Sequence, residues 1–238
     1  MTDRVKVFCI GFHRTGTRSL SRFLEDLGYK TCHYPAIIGG VEYEASIRRC
    51  VDDRAEIVSK LLPVLDQFDA FSDVPFPALY SELFDLFPKS RFILTTRNLD
   101  DWWRSVVRHK KLIESNRGVV ALNPFEFAQY NRHASSRVQF FSSGDEQLMK
   151  DIHKRHIESV SEFFEGKPSS LLKFDIEDPE ANKKIGDFLD VSSAPSFPNT
   201  HQGRGKYTPR RRGWSKYSLH SDGARKFLRR FGKSFGRN

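Results

Sequence analysis

The sequence predicts an α/β fold, a three-layer sandwich about a central, mostly parallel sheet, and three observations carry that expectation. Residues 5–10 form a short apolar, β-branched run that passes through a loop bounded by Gly11 and Gly16 into Leu20, Phe23, Leu24 and Leu27, spaced for one face of a helix. Further strand-then-helix units follow at 68–87, 90–107 and 169–189. Near the ends of the early strands stand residues able to hold or move charge: Arg14, His33, Asp73 and Arg97. Strands alternating with helices build parallel sheets, and such sheets bind ligands at the C-terminal edge of their strands.

The first unit carries most chemistry. A loop between a buried strand and a helix start presents N–H groups that the helix cannot use, and the helix dipole adds positive charge, so an anion is its natural occupant. Gly11 and Gly16 are expected to let the backbone curl and approach a ligand with no Cβ in the way. Thr15, Thr17 and Ser19 add hydroxyls, and Arg14 and Arg18 add fixed charge. The spacing is that of a phosphate-binding loop with one departure. Where a Walker loop, G-x4-G-K-[ST], has its Lys and its Mg²⁺-holding hydroxyl, this loop has Thr17 and Arg18. A guanidinium does not coordinate metal, so the loop reads as one for an anion handled without Mg²⁺. Taken alone, it leaves a small-metabolite P-loop kinase as an alternative.

The segment Gly11-Phe12-His13-Arg14-Thr15-Gly16-Thr17-Arg18-Ser19-Leu20 resembles the 5′-phosphosulfate loop of sulfotransferases, which transfer a sulfuryl group from 3′-phosphoadenosine 5′-phosphosulfate (PAPS). It is most similar to the branch reading Arg-Thr-Gly-Thr-x-Ser-Leu. A second stretch agrees. Phe92 to Thr96 reads as a buried strand, Asn98 to Asp101 as the cap and first acids of a helix, Arg97 as the first residue off the strand, and Ser105, after a Trp, stands eight positions later. In sulfotransferases an Arg at the end of this strand and a Ser eight residues on grip the 3′-phosphate of PAPS. The resemblance therefore implies that Arg97 and Ser105 hold one end of the nucleotide. Arg14, Thr15, Gly16, Thr17, Arg18 and Ser19 would then hold the other. It covers residues 4–107 well and the rest loosely. Two separate anion sites would set the nucleotide's register and tell PAPS from ATP, which has no 3′-phosphate for Arg97.

Composition is compatible with one domain over residues 1–238: 238 residues suffice for one sizeable core, and 21 Phe supply packing surface that a hydrophobic content of 38% would not suggest. No signal-like or membrane-spanning apolar run is present, and Cys9, Cys32 and Cys50 form no disulfide framework, so a cytoplasmic protein is expected. The net charge of +9 belongs to the tail, because residues 201–238 hold 12 of the 39 Lys and Arg and a single acid, Asp222. That basicity supports a reading from another class, a non-catalytic binder of nucleic acid or anionic lipid. It does not explain Arg97 and Ser105 at their spacing, and no nucleic-acid partner is expected.

The remaining elements follow in order. Gly28 ends the first helix, and residues 30–33 form a short strand with His33 at its far end, either a proton acceptor or a histidine bonded within a loop. Residues 34–40 read as loop, and 42–66 as one helix with Ile47, Val51, Ile57, Leu61, Leu62 and Leu65 as its buried stripe. The strand at 68–75 ends in Asp73, which either caps a turn or the helix near Pro77, or acts on the acceptor. A helix is expected over 77–87. Between 108 and 166, aromatic and basic residues interleave in a segment expected to cover the site; His153 and His156 on a helix over 144–165 read as a solvated face, and no metal is expected.

In the relatives a basic, Gly-containing loop near the C-terminus closes the nucleotide site, and Arg204 and Lys206 stand there in Arg-Gly-Lys order. A basic amphipathic helix over 222–232 fits an anionic surface. The expected reaction is metal-free, in-line sulfuryl transfer to a hydroxyl-bearing acceptor, less readily to an amine, with adenosine 3′,5′-bisphosphate released. Arg14 would stabilise the developing charge, and Asp73 or His33 would take the acceptor's proton.

Overall fold

The computed structural model describes residues 4–35, 37–47, 50, 52–117 and 145–191. The stretches around Asn123 and Tyr130, the Phe197-Pro198 pair, Val51 and the whole basic tail, with Arg204, Lys206 and the helix expected over 222–232, lie outside the described residues.

The central sheet contains β1 (Val7–Cys9), β2 (Thr31–His33), β5 (Ala70–Ser72), β6 (Arg91–Thr96) and β7 (Leu171–Asp175), in the order β2-β5-β1-β6-β7. Every pair in it is parallel. The alternation of β1 explains its central place. Val7 and Cys9 pack with Leu20, Phe23 and Leu24 of α1 (Thr17–Asp26) and Ile185 of α7 (Ala181–Phe188). Phe8, with Ile10 just beyond the strand, joins the opposite layer, with Ile57, Leu61 and Leu65 of α3 (Arg54–Gln67), Leu83 of α4 (Tyr80–Leu86) and Val160 of α6 (Glu146–Phe163). Side chains of a strand alternate between faces, so a run apolar at every position requires cover on both. The result is the expected three-layer α/β arrangement. Aromatics fill the second layer: Phe8 stacks on Phe71 at 4.9 Å and Phe92 at 5.3 Å, and Phe92 lies 4.9 Å from Phe164.

Helix ends are set by local chemistry. Past α1, Gly28 N donates to Glu25 O at 2.9 Å and Tyr29 N to Leu24 O at 2.9 Å, a Schellman closure that Gly28 allows at φ +84°. Asn98 Oδ1 accepts from the amides of Asp100 and Asp101 at the start of α5 (Leu99–Arg117).

Several elements differ from expectation. The single helix over 42–66 is two, α2 (Tyr43–Ser46) and α3, because Asp53 starts a fresh helix by accepting from Glu56 N at 2.9 Å. The loop 34–40 contains most of an antiparallel hairpin, β3 (Ile37–Ile38) with β4 (Val41–Glu42), turned at Gly39 and Gly40, both at positive φ. The helix over 77–87 is a 3₁₀ turn, Phe76–Ala78, followed by α4. His153 and His156 are not solvated. Both are fully buried on α6, where they cover Phe12.

No helix among the described residues is long and apolar enough to cross a membrane. Phe8→Ala is expected to lower stability by about 3–5 kcal/mol, since it removes a ring at the centre of a closed aromatic layer. Urea denaturation measures this, and a loss of under about 1 kcal/mol would contradict the packing.

Candidate functional site

The loop from Ile10 to Gly16 leaves β1 between β5 and β6 and is braced by what lies beneath it. Thr15 Oγ1 donates to Phe12 O at 2.6 Å and lies 2.7 Å from Thr95 Oγ1 of β6. Trp102 of α5 donates from Nε1 to His13 O at 3.0 Å, and His156 Nε2 lies 2.7 Å from Ile10 O. Phe12 stacks on His156 at 4.4 Å and on His153 at 5.0 Å. The two glycines serve this bracing. A Cβ on Gly11 would run into Thr95 Oγ1 and Thr15 Oγ1; one on Gly16, at φ +88°, would run into Ile176 Cδ1. They allow close packing of the loop on β6 and on the turn after β7, and Gly16 also the left-handed turn into α1. Thr15 is likewise a brace, fully buried, with its hydroxyl donated within the loop.

The bracing holds Arg14 at φ +68°. A bulky residue rarely adopts that conformation, and strain of order 1–3 kcal/mol persists only where neighbours over-determine it. Arg14 Nε donates to Ser105 Oγ of α5 at 3.0 Å, and Arg97 Nη1 donates to Arg14 O at 3.5 Å. Arg14, Arg97 and Ser105 therefore lie together at one sheet edge. Thr17 and Ser19 are buried in the first turn of α1, whose N-cap, Gly16, has no side chain to satisfy the first amides. Arg18 is exposed, within electrostatic reach of Arg14.

On the other side of the loop, β2 and β5 pair in register His33↔Ser72, which brings His33 Nδ1 within 2.8 Å of Ser72 Oγ. His33 Nε2 lies 3.3 Å from Asp73 Oδ2. Asp73 is also left-handed, at φ +72°, and its Oδ1 accepts from Val74 N at 2.9 Å. Burial lowers the His33 pKa, with Asp73 opposing and Arg18 reinforcing. The neutral tautomer that satisfies both contacts carries its proton on Nε2, donating to Asp73, while Nδ1 accepts from Ser72.

Three further residues belong to the site. His13, inside the loop, is pushed down to about 3 by burial, with Asp73 opposing and His109 and Arg14 adding to the shift. His109 is lowered by burial and then by Arg14, with Asp73 opposing. Arg108 adds to the field on Arg14. The sequence held a signal for the last two, because positions three and four after Ser105 share its helix face. For His13 there was only its place between Phe12 and Arg14.

Among the described residues, no group of three His, Cys, Asp or Glu is placed to hold a metal ion. Among the described residues, Arg97 Nε is buried with no hydrogen-bond partner, as are both ring nitrogens of His153.

A family model described as "Sulfotransferase domain" matches residues 6–205. The chain is 27% identical over 128 residues to "Ava biosynthesis cluster protein M" of Aspergillus versicolor, covering 51% of this chain and 49% of that protein, so it spans about half the length of the curated relative it matches. Similar solved structures include a sulfotransferase from Alicyclobacillus acidocaldarius, with TM-score 0.48, 14% identity, and 87% of this chain and 88% of that one covered. Another is shikimate kinase from Bacteroides thetaiotaomicron, with TM-score 0.43, 12% identity, and 78% and 94% covered.

The buried histidines make the site's floor acid-sensitive. His153, like His13, is held at about 3 in the folded chain, by burial first. An unfolded His titrates near 6.5, so between those values the unfolded state binds more protons. Stability is thus expected to fall as pH drops from about 6.5 towards 3, and to be insensitive to these groups above that window. His153→Phe removes two orphaned ring nitrogens and one such titration, so it should raise the melting temperature and flatten the acid limb. Thermal melts from pH 4 to 8 measure this, and an unchanged slope would refute it.

Proposed function

The chain belongs to the sulfotransferase family, and on that premise we propose that it transfers a sulfuryl group from PAPS to a hydroxyl, less readily to an amine, of a small-molecule or glycan acceptor. The supporting observation is the meeting of Arg14 and Arg97 at one sheet edge, with Arg97 Nε buried and unpartnered. An orphaned, buried guanidinium N–H is costly unless an anion completes it.

PAPS supplies a sulfuryl group on a phosphate leaving group. Arg14, Thr17, Ser19 and the first amides of α1, with Arg18 nearby, would hold the 5′-phosphosulfate; Arg97 and Ser105 would hold the 3′-phosphate. Thr15 and Gly16 contribute by shaping the loop. Arg14 Nε donates to Ser105 Oγ, which leaves the Arg14 Nη groups for one anion and the Ser105 O–H to donate to the other. A guanidinium does not release its proton, so Arg14 acts by stabilising negative charge that grows on the leaving phosphate. Asp73 takes the acceptor's proton. His33 has both nitrogens engaged, by Ser72 and Asp73, and so orients the carboxylate. The basic segment 201–238, with Arg204 and Lys206, is proposed to close the nucleotide site within the same domain. A cytoplasmic location fits these substrates.

The kinase reading loses ground because Thr17 and Arg18 occupy the places of the Walker Lys and hydroxyl. A thermal-shift panel separates the classes: adenosine 3′,5′-bisphosphate is expected to stabilise the protein without Mg²⁺, while ATP with Mg²⁺ and NAD are not. Arg14→Ala and Arg97→Ala should each weaken bisphosphate binding by about tenfold to a hundredfold, the worth of one charge-assisted contact. Undiminished affinity in either would reject the donor site. With radiolabelled PAPS and a panel of phenols, alcohols and sugars, Asp73→Asn should slow transfer by about 10²–10⁴-fold and His33→Ala by about tenfold. Unaltered turnover in both would place the base elsewhere.

A further inference from the structure

Arg97 has weak partners for a guanidinium at a ligand edge. Among the described residues Nε has none, Nη1 reaches Arg14 O only at 3.5 Å, and Nη2 lies 3.8 Å from Glu177 Oε1. Well-made charge-assisted bonds run to about 2.7–2.9 Å.

Glu177 is held there by its backbone. Ile176 N donates to Thr96 O at 3.0 Å, which ties the turn after β7 to the residue preceding Arg97, and Glu177 N donates to Asp175 Oδ1 at 2.9 Å. The Ile176 side chain fills the space over Gly16. The neighbouring acids are engaged elsewhere, Asp175 by Glu177 N and Asp178 by Glu180 N and Lys184. Glu177 is thus the acid of this turn that faces Arg97, with its side chain 66% exposed.

A loose, exposed ion pair adds little stability. Its consequence lies in the site: a carboxylate this near a phosphate-holding guanidinium competes for that guanidinium and repels the phosphate. We propose that Glu177 competes with a 3′-phosphate for Arg97, weakening the hold of that guanidinium on the nucleotide and so speeding release of the spent one. The inference rests on the donor-site reading above.

Calorimetric titration of wild type and Glu177→Gln with two nucleotides tests it. Adenosine 3′,5′-bisphosphate carries the group in question, whereas adenosine 5′-phosphosulfate has both 5′ groups and no 3′-phosphate. The substitution is expected to tighten the bisphosphate by about three- to tenfold, the effect of one exposed charge on a nearby dianion, with the gain shrinking in high salt. Adenosine 5′-phosphosulfate should stay within about twofold. Unchanged or weaker bisphosphate binding, or equal tightening of both nucleotides, overturns the proposal. A wild-type protein that binds neither nucleotide overturns the donor-site reading, and this inference with it.

Discussion

The site depends on the pinning of one loop from below. Residues 10–16 have no regular structure of their own, yet they carry Arg14 in a left-handed conformation that a free loop would relax. What prevents relaxation is the Thr15–Thr95 contact, the Trp102–His13 bond and the seating of Phe12 against His153 and His156. All three come from elements far along the chain. The guanidinium is therefore aimed by β6, α5 and α6 as much as by its own sequence neighbours.

Charge is divided across the loop. One wall collects Arg14, Arg97 and the Ser105 hydroxyl, with Arg18 and Arg108 within electrostatic reach. The other presents Asp73, backed by His33 and Ser72. Asp73 offsets part of the cost of burying Arg14 among like charges. The imidazoles at 13, 33 and 109 are each driven towards the neutral form by burial, so they add no further repulsion at neutral pH. Such an arrangement favours an anion at the cationic wall and sets the Asp73 carboxylate across the loop from it.

Much of this was legible in the chain. Apolar residues at each of positions 7–10 announced a strand covered on both faces, and Arg97 and Ser105 stand, as their spacing implied, directly off β6 and within α5. Asn98 capped where its side-chain chemistry said it would. Other features were not legible. His153 and His156 look solvated on a polar helix because nothing nearby in sequence reveals that Phe12 needs cover. The restart at Asp53 was hidden inside a pattern that kept helical period on both sides. The reason for Gly11 lay in Thr95, more than eighty residues away.

The sequence by itself determined the five strands of the central sheet, the main helices, their order and the residue types that end each strand, because propensity, alternation and capping act over a few residues. Only the tertiary structure decided which strand ends adjoin, which hydroxyls are spent as braces and which carboxylate meets which cation. Those depend on parallel register and on burial, and both are set by contacts between segments that the chain's local chemistry does not encode.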